Sequence, residues 1–128
     1  MISVTMNDVL NIEKVFQKLV NQSLTGKKAF AMARLAREVE KEVATFENIR
    51  MELIRKYANK DENGEAIIDD NGNVHLSEEN VKLCNQELRE SLEQEIELNV
   101  GPLHYDWVDD IELTMAEADA FEPFMEKE

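Results

Sequence analysis

The chain has 128 residues and a mass of 14.8 kDa, enough for one domain with its own core and too little for two. Hydrophobic residues make up 43% of it, so a collapsed fold is expected rather than a disordered chain. Acids outnumber bases 28 to 14, and the net charge of -14 disfavours binding to nucleic acid or to an anionic membrane.

Compartment signals point to the inside of a cell. No stretch approaches eighteen uninterrupted apolar residues, so no membrane span is expected. Residues 1–11 lack the basic and apolar regions of a secretion signal. The single cysteine, Cys84, excludes an internal disulfide and is typical of a reducing cytoplasm.

Charge is divided unevenly along the chain. Residues 1–56 carry 10 Lys or Arg and 7 Asp or Glu, a net of +3, whereas residues 57–128 carry 4 and 21, a net of -17. Unpaired carboxylates must face water because burying one costs several kcal/mol. We therefore expect an acidic surface in the second half.

A first helix is predicted from about Asn7 to Gln22. Its apolar residues recur at spacings of three and four, and Asn7 and Asp8 suit a helix start. The residues of this apolar face are Val9, Leu10, Ile12, Val15, Phe16, Leu19 and Val20.

A second helix is predicted from about Thr25 to Tyr57. At 1.5 Å per residue it would span about 48 Å, more than the diameter of a compact chain whose radius of gyration should be about 14 Å. We expect it to bend, break or project, and its apolar stripe from Met32 to Tyr57 to need another molecule to cover it. Small residues in its first turns would let another helix approach closely: Ala29, Ala31, Ala33 and Ala36.

The middle of the chain is rich in turn residues. Residues 66–69 and 73–76 flank Asp70-Asn71-Gly72, and Asn-Gly favours the tight turn of a β-hairpin. Ser77 then caps a third helix. Its core face is predicted to contain Val81, Cys84, Leu88 and Leu92.

The last third combines a strand with a short helix. Residues 96–100 alternate apolar and polar side chains and are followed by Gly101-Pro102, as in a strand. Thr114 and Glu117 form a capping-box pattern for a helix that Pro123 ends or kinks. The sequence contains no internal repeat that we identify.

The predicted fold is therefore mainly α, a single helical domain with one long central helix, a short β-hairpin and an additional strand. Residues 1–57 form a helical hairpin of net charge +3, and residues 58–76 form the loop and β-hairpin. Residues 77–128 supply an acidic helix, the strand and a short C-terminal helix.

One segment resembles a calcium-binding loop. Asn59, Asp61, Asn63 and Gly64 occupy the first ligand positions and the glycine of an EF-hand, and Asp70 occupies position 12. The loop begins with Asn rather than Asp and ends with Asp rather than Glu. Two polar turns are the favoured interpretation, and no metal is expected.

Catalytic chemistry is not expected either. His75 and His104 lack a Cys or His partner at metal-ligand spacing, so surface or packing roles are favoured. Cys84 lies on an apolar helix face among acids, which is unfavourable for a thiolate nucleophile. Adjacent carboxylates carry little information in a chain with 28 acids, and no phosphate loop or cofactor motif is present.

Exposed apolar residues could instead bind a partner. The segment from Phe121 to Met125 either tucks back onto the core, which we favour, or serves as a short docking element rimmed by acids. Together with the stripe of the second helix, the candidate partner-binding residues are Met32, Leu35, Val39, Phe46, Leu53, Phe121 and Phe124.

The order and spacing of several segments resemble a group of small acidic proteins encoded by tailed bacteriophages and prophages. The resemblance covers residues 25–125 and implies a phage origin, without an assigned activity or catalytic residues to transfer. The segments that carry it are Lys28-Ala29-Phe30, Leu35-Ala36-Arg37, Phe46-Glu47, Arg50, Leu53-Ile54-Arg55-Lys56-Tyr57, Lys60-Asp61-Glu62-Asn63-Gly64, Glu95-Ile96-Glu97-Leu98, Leu113-Thr114 and Glu122-Pro123-Phe124.

These observations leave three functional hypotheses. The leading one is a non-enzymatic phage protein that binds itself, another phage protein or a host protein, as a virion or assembly component in the host bacterial cytoplasm or the virion. The second is an inhibitor whose acids imitate nucleic acid and bind a basic host protein. The third is a calcium-dependent module that uses residues 59–70.

Overall fold

The computed structural model describes residues 1–127 and is mainly α. Four α-helices follow one another along the chain, together with two short strands. The strands are β1 (Ile2–Thr5) and β2 (Glu95–Leu98), and the helices are α1 (Met6–Leu19), α2 (Gly26–Tyr57), α3 (Glu78–Glu93) and α4 (Met115–Phe121). Single 3-10 turns follow at Tyr105–Trp107 and Glu122–Phe124.

The described chain forms two compact units. The first contains residues 1–44 and 94–127, and the second contains residues 45–93. The first part of α2 therefore belongs to one unit and its last part to the other.

An antiparallel pair of strands joins the two chain segments that make up the first unit. β1 pairs with β2 so that Val4 lies opposite Ile96 and Ile2 opposite Leu98. Because side chains alternate across a strand, these four apolar residues share one face. Val4 and Leu98 are buried. β2 confirms the predicted additional strand, although it begins one residue earlier and ends two residues earlier than predicted. β1 was not predicted.

The start of α1 differs slightly from the prediction. The capping residue is Thr5, whose hydroxyl accepts a hydrogen bond from the Asp8 backbone N–H, while the Asp8 carboxylate accepts one from the Thr5 N–H. This reciprocal pair satisfies two of the N–H groups that a helix start leaves without partners. The helix therefore begins at Met6, directly after β1.

The core of the first unit lies between α1, α2 and the C-terminal segment. The Phe16 and Phe121 rings meet edge to face with 6.0 Å between centroids, a favourable aromatic geometry. Backbone hydrogen bonds from Leu103 to Phe124 and from Glu126 to Leu103 hold the end of the chain in place. The capping box of Thr114 and Glu117 starts α4 as predicted.

The second unit consists of the end of α2, two turns and α3. Ser77 Oγ accepts a hydrogen bond from the Asn80 N–H, confirming the predicted cap of α3. The Asn80 side chain in turn donates to the Tyr57 carbonyl at 3.0 Å, satisfying one oxygen at the end of α2. Phe46, Ala58 and Cys84 are its buried apolar residues.

The predicted β-hairpin is reduced to single bridges. Ile68 bridges Val74 around the predicted Asn-Gly turn, and a second bridge joins Lys60 to Ala66 around an earlier turn. Neither pair extends into a regular strand, and in each turn an Asp side chain accepts hydrogen bonds from backbone N–H groups.

Replacing Leu98 by Ala tests the strand pair. Leu98 is 0% exposed, so the cavity should lower the free energy of unfolding by about 2–5 kcal/mol. Glu97→Ala, on the exposed face of the same strand, should change it by no more than about 0.5 kcal/mol. Urea unfolding followed by circular dichroism measures both, and equal losses would contradict the observed register.

Candidate functional site

An apolar groove separates α1 from the first part of α2 within the first unit. Its volume is about 500 Å³, and it extends along α1 from Glu13 and along α2 from Ala29 to Glu40. Apolar side chains form most of its walls and floor, including Phe16, Leu19, Val20, Leu24, Met32 and Val39.

Small side chains on α2 keep this groove open. Ala29, Ala33 and Ala36 recur at spacings of four and three, so they share the face of α2 that borders the groove. An alanine removes most of the volume that a larger residue would place there. Three of the four small residues predicted to allow close helix approach thus line an open groove beside α1, and Ala31 does not line it.

Large apolar groups remain accessible at the groove. Val20 lines it and is 74% exposed, and Phe16 is half-buried although its ring also meets Phe121. Exposed apolar surface bordered by polar residues is a common feature of partner sites.

The rim of the groove is polar and acidic. Glu13 and Glu40 are the only charged residues among those that line it, and Gln17 and Gln22 complete the edge. The Gln17 side chain donates a hydrogen bond to Glu13 at 3.2 Å. The local field therefore favours cations beside an apolar occupant.

A second hollow, of about 790 Å³, lies between α1 and α4. Charged groups such as Lys14, Lys18 and Asp119 line it, and Lys18 pairs with Glu117 at 2.8 Å. Because its walls offer less continuous apolar surface, we regard the α1–α2 groove as the candidate site.

The predicted partner-binding residues divide between the groove and the core. Met32 and Val39 form part of the groove floor, and Leu53 is half-buried. The others are buried by the chain itself: Leu35, Phe46, Phe121 and Phe124. The tail therefore tucks back, as favoured from the sequence.

The chain itself covers only part of the α2 stripe, because Leu53 and Tyr57 are half-buried, so the expectation that another molecule completes the cover stays a prediction. The α1 residues Phe16 and Leu19 line the same groove as Met32 in the first unit. In the second unit α3 reaches the end of α2, where Lys56 pairs with Glu87 at 3.2 Å. Different parts of the chain thus cover successive parts of one helix.

The segment resembling a calcium loop is two copies of one turn. In each copy an Asp side chain accepts hydrogen bonds from the backbone N–H groups two and four residues later. Asp61 does this in the first and Asp69 in the second, and Gly64 and Gly72 adopt φ of +78° and +80°. This Asp-x-Asn-Gly repeat, offset by eight residues, was missed in the sequence.

The carboxylates of these turns already have protein partners. Asp69 also bonds His75 Nε2 at 2.6 Å, and hydrogen bonds from the backbone of Asn73 and from His75 lower the pKa of Asp69. Within residues 1–127 no group of three or more His, Cys, Asp or Glu side chains is arranged to hold a metal ion. The geometry agrees with two polar turns.

The remaining reactive side chains serve structure. His104 bonds Glu126 and its ring lies edge-on to Trp107 with centroids 4.3 Å apart, so it is hydrogen-bonded, although its side chain stays exposed. Cys84 is buried, and burial raises the pKa of its thiol, with Glu87 adding to the effect. A thiol held in its protonated form is a poor nucleophile.

Comparison with known proteins adds no assignment. No protein-family model, curated protein or solved structure matches the chain. Within residues 1–127 no helix is long and apolar enough to cross a bilayer. The case for a function therefore depends on the groove and on the charged surfaces.

The Asp69 turn predicts a pH-dependent contribution to stability. Because folding lowers the pKa of Asp69, its contribution should be complete above the ordinary Asp value of about 3.9 and lost as pH falls through the lower folded value. Asp69→Asn should therefore be less stable than wild type at pH 7, and this gap should close in acid. Urea unfolding across pH measures it, with exposed Asp70→Asn as control, and a pH-independent gap would contradict it.

An apolar dye tests whether the groove accepts an apolar occupant. Nile red should bind the wild-type protein, and Ala36→Trp should weaken binding at least about fivefold by filling the groove. Ala44→Trp, on an exposed part of the same helix outside the groove, should bind as wild type does. Fluorescence titration measures all three, and equal binding by both variants would argue against the groove.

Proposed function

We propose that the protein is a non-enzymatic bacteriophage protein that acts through protein–protein contacts, as an assembly or virion component. The α1–α2 groove supports this proposal most directly. It offers an apolar surface to a partner, whereas the histidines and the cysteine are engaged in packing and hydrogen bonds.

An amphipathic helix from another protein is the occupant that best fits the groove. Between Ala29 and Glu40 the α2 wall is about 16 Å long, equal to about three turns of a helix. Apolar side chains at helical spacing would enter beside Ala33 and Ala36, as in other helix-in-groove complexes. Lys or Arg residues at their flanks would face Glu13 and Glu40.

The phage origin derives from the resemblance across residues 25–125. With it, the host bacterial cytoplasm and the virion are the proposed locations.

The alternative, an acidic inhibitor that imitates nucleic acid, fits the surface of α2 less well. Such a protein needs a continuous anionic surface for a basic host protein. Exposed Lys27, Arg34 and Arg37 lie on one face of α2, where they would repel a basic partner.

Site-specific photo-cross-linking tests the proposal in phage-producing cells. A benzoylphenylalanine at exposed Gln17, on the edge of the groove, leaves the space beside Ala33 and Ala36 open, whereas one at Ala44 lies on exposed α2 surface outside the groove. We expect adducts at position 17 that map to an amphipathic helix flanked by Lys or Arg, and none of these at position 44.

Two further measurements complete this test. Ala33→Glu should abolish capture of the same partner because a charge would be buried against apolar groups, while Ala44→Glu should retain it. Mass spectrometry of purified particles then distinguishes a virion component from an assembly factor. Identical adducts at both positions, or none at position 17, would count against the proposal.

A further inference from the structure

The exposed face of α2 carries a stripe of cations around one aromatic ring. Spacings of three and four place its members on a single face, which extends over about 21 Å of helix. This basic stripe consists of Lys27, Phe30, Arg34, Arg37 and Lys41.

Phe30 is the unusual member of the basic stripe. Its side chain is 68% exposed, although burial of a Phe side chain normally stabilises a fold. The buried residues Met32, Leu35 and Val39 lie on the other side of the helix, so Phe30 cannot join the core.

Local bonds leave the basic stripe facing outward. Lys41 pairs with Glu38 at 3.0 Å, and Arg37 Nε donates to the Ala33 carbonyl at 3.4 Å. Both contacts stay within α2. The side chains of Lys27 and Arg34 are exposed, so the face remains cationic on a chain whose net charge is -14.

A second stripe has the opposite charge and a similar pattern. Met115 and Asp119 lie on α4 and Glu122 directly follows it, at spacings of four and three, while Glu112 lies three residues before the helix. Asp119 and Glu122 also border the hollow that Lys14 and Lys18 line. Met115 is 92% exposed, whereas Phe121 and Phe124 are buried. We call these four residues the acidic stripe.

Three positions of the two stripes match. Each has an exposed apolar residue followed by charges four and seven residues later, and the basic stripe continues to Lys41. With the two helices laid parallel, Phe30 would meet Met115, and Arg34 and Arg37 would meet Asp119 and Glu122. Methionine sulfur and an aromatic ring form a favourable pair.

We propose that the protein associates head to tail, with the basic stripe of one copy binding the acidic stripe of the next. A second copy is the favoured occupant because one chain carries both complementary surfaces. Since the two surfaces differ, the contact is heterologous and generates a ring or an open chain. The head-to-tail contact does not involve the groove residues Val20 and Ala36. It can therefore be tested separately from the binding of a partner in the groove.

Charge reversal with sedimentation velocity tests this contact. The contact should be weak and salt-sensitive because exposed ion pairs contribute little and are screened. Wild-type protein should associate between about 5 and 500 µM at about 0.05 M salt and dissociate at about 0.5 M. Arg34→Glu with Arg37→Glu should be monomeric throughout, and so should Asp119→Lys with Glu122→Lys.

Mixing the two reversed variants provides the decisive measurement. The α2 stripe that has become acidic in the first variant can bind the α4 stripe that has become basic in the second. The unchanged basic stripe of the second variant can bind the unchanged acidic stripe of the first. The mixture should therefore associate again. Lys82→Glu with Arg89→Glu, which changes the net charge by the same amount on α3, should associate as wild type does.

A milder variant protects the test against misfolding. Met115→Ala removes an exposed side chain, should leave the circular dichroism spectrum unchanged and should weaken association at least about threefold. A wild-type monomer at about 500 µM and low salt would overturn the proposal. So would salt-insensitive oligomers, failure of the mixture to associate, or oligonucleotide binding by the basic stripe of a monomeric protein.

Discussion

Burial of the apolar face of α2 is the constraint on which the rest of the structure depends. A helix from Gly26 to Tyr57 is too long to be covered by one short neighbour. Met32, Leu35 and Val39 are buried within the first unit, and Phe46 is buried within the second. The β1–β2 pair matters for the same reason, because it fixes the returning chain beside the N-terminus of the first unit.

Local signals in the sequence predicted most of the helical structure. α2 agrees with its predicted bounds and α3 begins where predicted, because a 3.6-residue period and the Ser77 cap depend only on neighbouring residues. β1 was missed because its four residues gain stability from a partner more than ninety positions away. The predicted hairpin forms only isolated bridges. The Asp61 and Asp69 side chains instead accept hydrogen bonds from the backbone of their own turns.

The candidate site was harder to predict than the fold. Periodicity identified Met32 and Val39 as apolar, but a single sequence does not reveal which segment covers them. The groove exists because Ala33 and Ala36 leave volume beside Phe16, and such a gap depends on the distance between two helices. The sequence did contain one indication of the groove. The apolar residues of α1 extend to Val20 and cover a wider arc of the helix than one core face needs.

The uneven distribution of charge makes this chain, with a net charge of -14, selective in how two copies can bind each other. Two copies repel each other in most orientations, since acids dominate the surface. An arrangement that brings Arg34 and Arg37 against Asp119 and Glu122 replaces repulsion with attraction. Repulsion between the acidic surfaces of two copies disfavours other orientations. Specificity therefore arises from this repulsion as much as from the attraction between the two stripes. A neutral chain with the same stripes would have less protection against binding in other registers.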